Sequence, residues 1–364
     1  MAGPLQGVRV VELAGMPPAA FTTMMLADLG AEVVRIDRAT TNERGITPPA
    51  GPLDRGKHPL ALNLKDPADL ERLHAISRVA DVLIEGFRPG VAERLGLGPQ
   101  ELLAANTRLV YGRLTGWGQD GPLADRAGHD INYIAISGAL DPVGLAGSRP
   151  VVPSNYVADF AGGGMLLAIG VLGALLERER SGRGQVIDSA MVDGSSLLTS
   201  FLHGMLANGL IAGPRGTNTL DSGAPFYDTY ECADGGYVAV GCVEYPFYLQ
   251  LLDGLGLAED EDLPFYMDRT TWPELKEVLA AKFRERTRDE WITVFDGTDA
   301  CVSPVLGLED APLHPHNVAR AAFVEVDGVR QPAPAPRFDR TPADTPASSA
   351  DRAPTEEVLR GWGA

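Results

Sequence analysis

Basic residues are in short supply in this sequence. The 31 Lys and Arg face 49 Asp and Glu, a formal net charge of -18, which excludes a nucleic-acid partner because phosphate backbones need a positive surface. Cysteine is scarcer still: Cys232, Cys242 and Cys301 form no CxxC pair and cannot all pair within one chain, which argues against a disulfide framework or a thiolate zinc site and for a reducing compartment. His314 and His316 stand alone in a Pro-rich loop, so neither a metal nor a cofactor is expected. Long apolar runs are also missing. The uncharged stretch from Phe160 to Leu176 falls just short of a membrane span, carries Gly162, Gly163, Gly164, Gly170 and Gly173, and stops at Glu177-Arg178-Glu179-Arg180; it reads as a buried helix packed closely through its glycines. Neither a leader pattern nor a peroxisomal tripeptide is visible, and the expected location is cytoplasmic.

What is present points to a two-domain enzyme. With 364 residues and 45% hydrophobic content the chain can bury more than one core. Strand-like and helix-like patterns alternate through the first hundred residues: a strand over Val8 to Leu13, a helix over Phe21 to Gly30, a strand over Glu32 to Ile36, helical spacing of Leu70, Leu73, Ile76 and Ala80, then strands at Val82-Leu83-Ile84 and Leu109 to Leu114. Such alternation predicts an α/β fold, a Rossmann-like parallel sheet forming a large domain over 1–200 that is completed by 330–364. The turn after the first strand reads Gly15-Met16-Pro17-Pro18-Ala19-Ala20 rather than G-x-G-x-x-G, which excludes the usual nicotinamide cradle. Beyond linker 201–216 the pattern changes. Strands at Phe226 to Cys232 and Gly236 to Val243 flank the turn Ala233-Asp234-Gly235-Gly236, and two helices follow, one with Leu275, Val278, Leu279 and Phe283 on a face and one opened by a capping box at Thr287. A smaller α+β domain is expected over 217–320, with 321–329 as a second linker and the Pro-rich tail from Gln331 to Pro354 as an extended strap. Residues 1–128 hold 14 Lys and Arg against 15 Asp and Glu, so a polyanionic small ligand belongs in this near-neutral third.

Three positions stand out chemically. In Gly128-His129-Asp130-Ile131-Asn132-Tyr133, a helix beginning at Asp130 would place His129 at its mouth, beside free backbone N–H groups able to hold an enolate oxygen. Asp130 is equally the residue type of a plain N-cap, and His129 could be an ordinary loop histidine. Asp159, in Asn155-Tyr156-Val157-Ala158-Asp159-Phe160 before the glycine-rich helix, is a carboxylate that burial would tune toward a proton acceptor, or another N-cap. Glu244, at the end of the strand Gly236 to Val243, could orient an imidazole or simply be solvated.

Together with Val10-Val11-Glu12-Leu13, Asp28 to Arg38, Ala158 to Gly164 and Gly223-Ala224-Pro225-Phe226-Tyr227, these segments resemble, in joint order, the alpha-methylacyl-CoA racemase family within the family III CoA-transferase (CaiB/BaiF) group. The resemblance implies an isomerase that interconverts (2R)- and (2S)-2-methylacyl-CoA by proton transfer through an enolate, CoA being part of the substrate. It implies His129 and Asp159 as acid/base residues on opposite faces, Glu244 as partner of His129, and an interlocked homodimer. CoA contacts are implied at Arg38, at Leu62, Asn63, Leu64 and Lys65, and at Gly128, Asp130, Ile131, Asn132 and Tyr133, with Arg88 and Arg94 as further phosphate contacts. The group holds a second chemistry, CoA transfer through an anhydride at the aspartate corresponding to Asp159. His129 favours the racemase, because a transferase needs no second proton carrier.

Overall fold

In a computed structural model the protein is described over residues 3–39, 51–347 and 352–364. It divides into two compact units, Met1–Ser137 with Ser154–Leu198 and Pro315–Ala364, and Gly138–Pro153 with Thr199–His314.

The first unit is built on six strands, β1 (Arg9–Leu13), β2 (Glu32–Arg38), β3 (Lys57–Leu62), β4 (Val82–Glu85), β5 (Val110–Thr115) and β6 (Val186–Ala190). They lie in the order β3-β2-β1-β4-β5-β6, every pair parallel. The near-continuous apolar runs of β1, β2 and β4 follow from this, since a parallel sheet is covered on both faces. Val11, Leu13, Val34, Leu83 and Tyr111 bury one face with Leu73 and Ile76 of the helix Pro67–Val79 and with Leu359 and Trp362 of the helix Thr355–Trp362. Val10, Val33, Val82 and Ile84 are equally buried on the other face, where the helices Pro17–Asp28 and Leu166–Ser181 pack. Strand order reverses direction at β1, between β2 and β4, and the carboxyl ends beside that point are where open α/β sheets bind ligands.

Helix boundaries follow their chemistry. Pro17 and Pro18 open the first helix, four residues earlier than its apolar pattern alone indicates, because a proline at the first turn sacrifices no hydrogen bond. Asp66 caps the helix Pro67–Val79 by accepting from the N–H of Ala68 at 2.8 Å, and Gly182, at φ 74°, ends the helix Leu166–Ser181. Tyr156–Ser181 is, among the described residues, the one continuous helical stretch long and apolar enough to cross a membrane by length and composition. Here it packs through Leu167, Ala168, Val171, Ala174 and Leu175, which are buried.

The second unit carries an antiparallel sheet of Tyr227–Glu231, Tyr237–Gly241 and Val302–Pro304. Phe226, Tyr230, Val238 and Val240 are buried against the helices Tyr245–Leu255, Trp272–Phe283 and Arg288–Phe295. The capping box is present: Thr287 accepts from the N–H of Glu290, whose carboxylate accepts from the N–H of Thr287 at 2.8 Å.

Three placements differ from the expected division. Gly138–Pro153 groups with the second unit, anchored there by Arg215, which donates to the Asp141 carboxylate at 2.8 Å and the Ser148 carbonyl at 2.9 Å. The stretch read as linker 201–216 begins within a helix, Ser200–Ala207, and linker 321–329 contains most of an antiparallel hairpin, Phe323–Val326 with Val329–Pro332. The strap is tied beside β3 at its two ends: Arg55 donates to Gln331 and to the Pro332 carbonyl, and Arg352 to the Asp54 and Lys57 carbonyls, with Thr355 just beyond it donating to the Pro59 carbonyl. Residues 348–351 of that strap lie outside the described residues.

Candidate active site

The loop after β5 is shaped by two glycines. A Cβ at Gly116 would lie 2.2 Å from the Tyr133 ring, and one at Gly128 would lie 2.7 Å from it, so both positions exclude any side chain. Tyr133 fills that space, donating to the Gly128 carbonyl at 2.6 Å and meeting Trp117 edge to face with centroids 4.8 Å apart. Next along the chain, the N–H of His129 donates to the Asn132 side-chain oxygen at 3.1 Å while the N–H of Asn132 donates to the His129 carbonyl at 2.8 Å. The backbone of His129 is thus fixed on both sides, and the residue is exposed.

Asp130 begins the helix Asp130–Ser137 and is buried. Its carboxylate does not cap that helix. One oxygen accepts from the N–H of Ala158 at 2.8 Å and of Asp159 at 2.9 Å, so it caps the helix carrying the other candidate base. Expected as a CoA contact, the Asp130 side chain is committed instead to backbone. Its second oxygen is buried without a hydrogen-bond partner among the described residues.

Asp159 sits inside the wide π-helical stretch Tyr156–Met165, whereas the sequence places it just ahead of an ordinary helix. Close backbone contact explains the difference: a Cβ on Gly194 would lie 1.8 Å from the Gly162 carbonyl oxygen, and one on Gly164 would lie 2.9 Å from both Phe21 and the Pro18 carbonyl. Thr22 donates to the Gly164 carbonyl at 2.9 Å, and π-helical turns recur at functional sites. Asn155 donates to the Asp159 carboxylate at 3.1 Å. Burial pushes the Asp159 carboxyl above the usual carboxylate range; the Asn155 hydrogen bond opposes this, the Asp130 charge adds to it, and His129 opposes it. His129 and Asp159 therefore share one electrostatic neighbourhood.

The cations expected to meet CoA lie at the carboxyl edge of the sheet. Arg38 ends β2 and pairs in register with Leu62, the end of β3. Leu62 itself is buried in the core, so its side chain is not free to meet a ligand, and Leu64 is half-buried against the same cluster. Asn63 closes a turn, its N–H donating to Asp69 and its side chain accepting from the N–H of Lys65. Arg38, Lys65, Arg88 and Arg94 are exposed, and among the described residues none is ion-paired. Arg88 also reaches the His129 neighbourhood: burial first, then Asp159, push the Tyr133 hydroxyl up to about 12, and Arg88 works against them. Asp37, a residue type that could meet a ribose, is paired with Arg35 at 2.8 Å.

Glu244 belongs to the second unit and is not at a strand end. The strand stops at Gly241, and Glu244 is the N-cap residue of the helix Tyr245–Leu255, its carbonyl accepting from the N–H groups of Phe247 and Tyr248 at 3.0 Å. Its side chain makes no cap hydrogen bond, and its charge is among those pushing the Cys301 thiol up, after burial. Asn155, Thr22 and Trp117 are not among the candidate residues that the sequence singles out. Asn155 alone carried a signal, being four residues before Asp159.

Comparison with known proteins bears on this arrangement. A family profile described as CoA-transferase family III matches residues 5–357. The chain belongs to CoA-transferase family III. Among curated members, it is 50% identical over 366 aligned residues to an alpha-methylacyl-CoA racemase of Mus musculus and 48% identical to that of Homo sapiens, in each case covering 99% of this chain and 93% of the relative. A solved CaiB/BaiF family protein from Brucella suis superposes with a TM-score of 0.83 over 99% of both chains at 24% identity, which shows that this family III member shares its fold.

Proposed function

We propose that the protein is an alpha-methylacyl-CoA racemase, exchanging the α-proton of 2-methylacyl-CoA thioesters and inverting that centre. The observation that carries the proposal is the Asp130 clamp: the carboxylate following His129 in the chain accepts the N–H of Asp159 at 2.9 Å, joining two proton carriers through backbone. The near-full-length identity to racemases supports the same reading.

The residues divide the work as follows. The Asp159 carboxylate, with its pKa raised by burial, is a stronger base than a solvated one. It removes the proton from one face, and His129 returns a proton to the other; the roles reverse for the opposite enantiomer. Between the steps the α-carbon is planar and the thioester oxygen carries negative charge. The N–H groups of Asp130 and Ile131, at the positive end of the helix Asp130–Ser137, suit that oxygen. Arg38, Lys65, Arg88 and Arg94 supply the positive edge for the CoA phosphates, Glu244 partners His129, and no metal or cofactor takes part. A cytoplasmic location and an interlocked homodimer, with Glu244 supplied to each site by the second chain, complete the proposal.

The deciding experiment is incubation of each enantiomer of a 2-methylacyl-CoA in deuterated water. Deuterium should appear at the α-carbon, with loss of optical purity, from either starting enantiomer. Retention of the proton in both would sink the proposal. Transfer of CoA to a free acid, with an Asp159 hydroxamate trapped by hydroxylamine, would favour acyl-CoA:acid transfer instead.

A further inference from the structure

The turn after β4 rests on a buried ion network that the acid/base chemistry does not use. Glu85, the last residue of β4, is fully buried. One of its oxygens accepts from the N–H of Phe87 at 2.6 Å, and the other accepts from Arg113 Nε at 2.9 Å. The same guanidinium donates to both oxygens of Glu93, at 2.8 and 3.4 Å. Between Phe87 and Glu93 the chain turns tightly: Gly90 adopts φ 75°, the N–H of Val91 donates to the Arg88 carbonyl at 3.1 Å, and that of Arg94 to the Gly90 carbonyl at 3.2 Å. Glu85 and Arg113 together thereby hold Phe87 and Glu93, the chain neighbours of the exposed Arg88 and Arg94.

We infer that Glu85, Arg113 and Glu93 are positioning residues that hold Arg88 and Arg94 ready for the CoA phosphates, an inference that rests on the acyl-CoA reading of the site. The sheet itself does not require the network. Glu85 and Arg113 are register partners of β4 and β5, where a pair of apolar residues would serve packing as well or better. Two of the ties, to the Phe87 N–H and to Glu93, leave the sheet and reach only the turn. Holding two arginines on a fixed backbone before the ligand arrives removes part of the ordering cost of binding. It also keeps their mutual repulsion from spreading the turn, because the network beneath them bears two carboxylates against one guanidinium.

The test uses Glu93→Ala in the full-length protein, because Glu93 has 45% side-chain exposure and its loss leaves the buried Glu85–Arg113 pair intact. Calorimetry with free CoA should show binding weakened by about threefold to fivefold, the effect of a partly exposed ion pair. Affinity for pantetheine, which lacks the phosphates, should not change, and Glu93→Gln should recover part of the loss. Equal weakening of both ligands, or none for CoA, would overturn the inference. A wild-type protein that binds no CoA would instead overturn the acyl-CoA reading on which it rests. Glu85→Gln, at a fully buried position, should weaken CoA further in a variant whose unfolding curve shows it is still folded.

Discussion

In the unit built on the parallel sheet, three ion pairs among the described residues have both partners buried: Glu12–Lys57 at 2.8 Å, Asp28–Arg55 at 2.5 Å and Glu85–Arg113 at 2.9 Å. In the unit built on the antiparallel sheet, among the described residues, the ion pairs reach the surface. That unit is held by aromatic rings instead: Phe226 against Tyr248, Tyr266 and Trp272, and Phe283 against Tyr230, Trp291 and Phe295. Ring packing rewards contact area and tolerates small displacements. A buried ion pair tolerates few, because each charge must find its partner in a medium that screens poorly. The contrast teaches that one unit is organised for cohesion and the other for placement. Lys57 illustrates the second mode: besides Glu12 it donates to the Ala20 carbonyl at 2.8 Å, fixing the helix whose Thr22 holds the turn of Asp159.

The largest expected effects are on stability and test the contrast directly. Lys57→Met, which leaves the buried Glu12 carboxylate with the Thr23 hydroxyl but no cation, and Trp291→Ala, which empties a fully buried site, should each cost about 3–5 kcal/mol in chemical unfolding. They should differ in rescue. Adding Glu12→Leu to Lys57→Met should restore most of the loss, whereas a failure to do so would show that the pair is not an isolated electrostatic unit. Next in size is His129→Ala, expected to lower racemisation at least about a hundredfold while leaving the unfolding midpoint in place; near-normal turnover of both enantiomers would remove His129 from the mechanism. Gly194→Ala should follow. Its new methyl would meet the Gly162 carbonyl, forcing the turn of Asp159 to shift at a cost of about 1–3 kcal/mol, and kcat should fall more than KM rises. An unaltered kcat would mean that the wide turn does not aim Asp159.

The finest discrimination comes from pH. Asn155 donates to the Asp159 carboxylate and holds its pKa down, whereas the Asp130 charge holds it up. Asn155→Ala should therefore move the acid limb of kcat/KM to higher pH, and Asp130→Asn, whose amide oxygen can still accept the Ala158 and Asp159 N–H groups, should move it to lower pH. Shifts of the same sign in both variants would show that the limb belongs to another group.

How much of this was legible in the residues depended on range. The runs Val10-Val11-Glu12-Leu13 and Val82-Leu83-Ile84 declare buried parallel strands by themselves, and Thr287 with Glu290 declares a capped helix. β3 is not among the strands the pattern predicts, because Lys57, His58 and Pro59 look like loop; Pro59 is tolerated where β3 forms the sheet edge, and Lys57 because Glu12 lies beside it. Asp130 is recognisable as a capping residue, but its bond goes to the N–H of Ala158, 28 residues away in the chain, and no local pattern encodes that choice. Glu244 looked like a strand end because Tyr245, Phe247 and Tyr248 are weak helix formers; packing of Tyr248, Leu251 and Leu252 into the core decides for a helix.

The bond from the Asp159 N–H to Asp130 also bears on how substrate range can change. Because the link runs through main chain, the backbone of Asp159 is tied to the segment of His129 by peptide geometry and one carboxylate. If His129 and Asp159 act as proposed, substitutions elsewhere that widen or narrow an acyl pocket should accumulate without loosening that tie, as the jaws of a calliper stay locked while different objects are offered to them. Libraries aimed at longer, shorter or more branched acyl groups should accordingly leave Gly128 to Tyr133 and Asn155 to Gly164 untouched and spread their changes elsewhere.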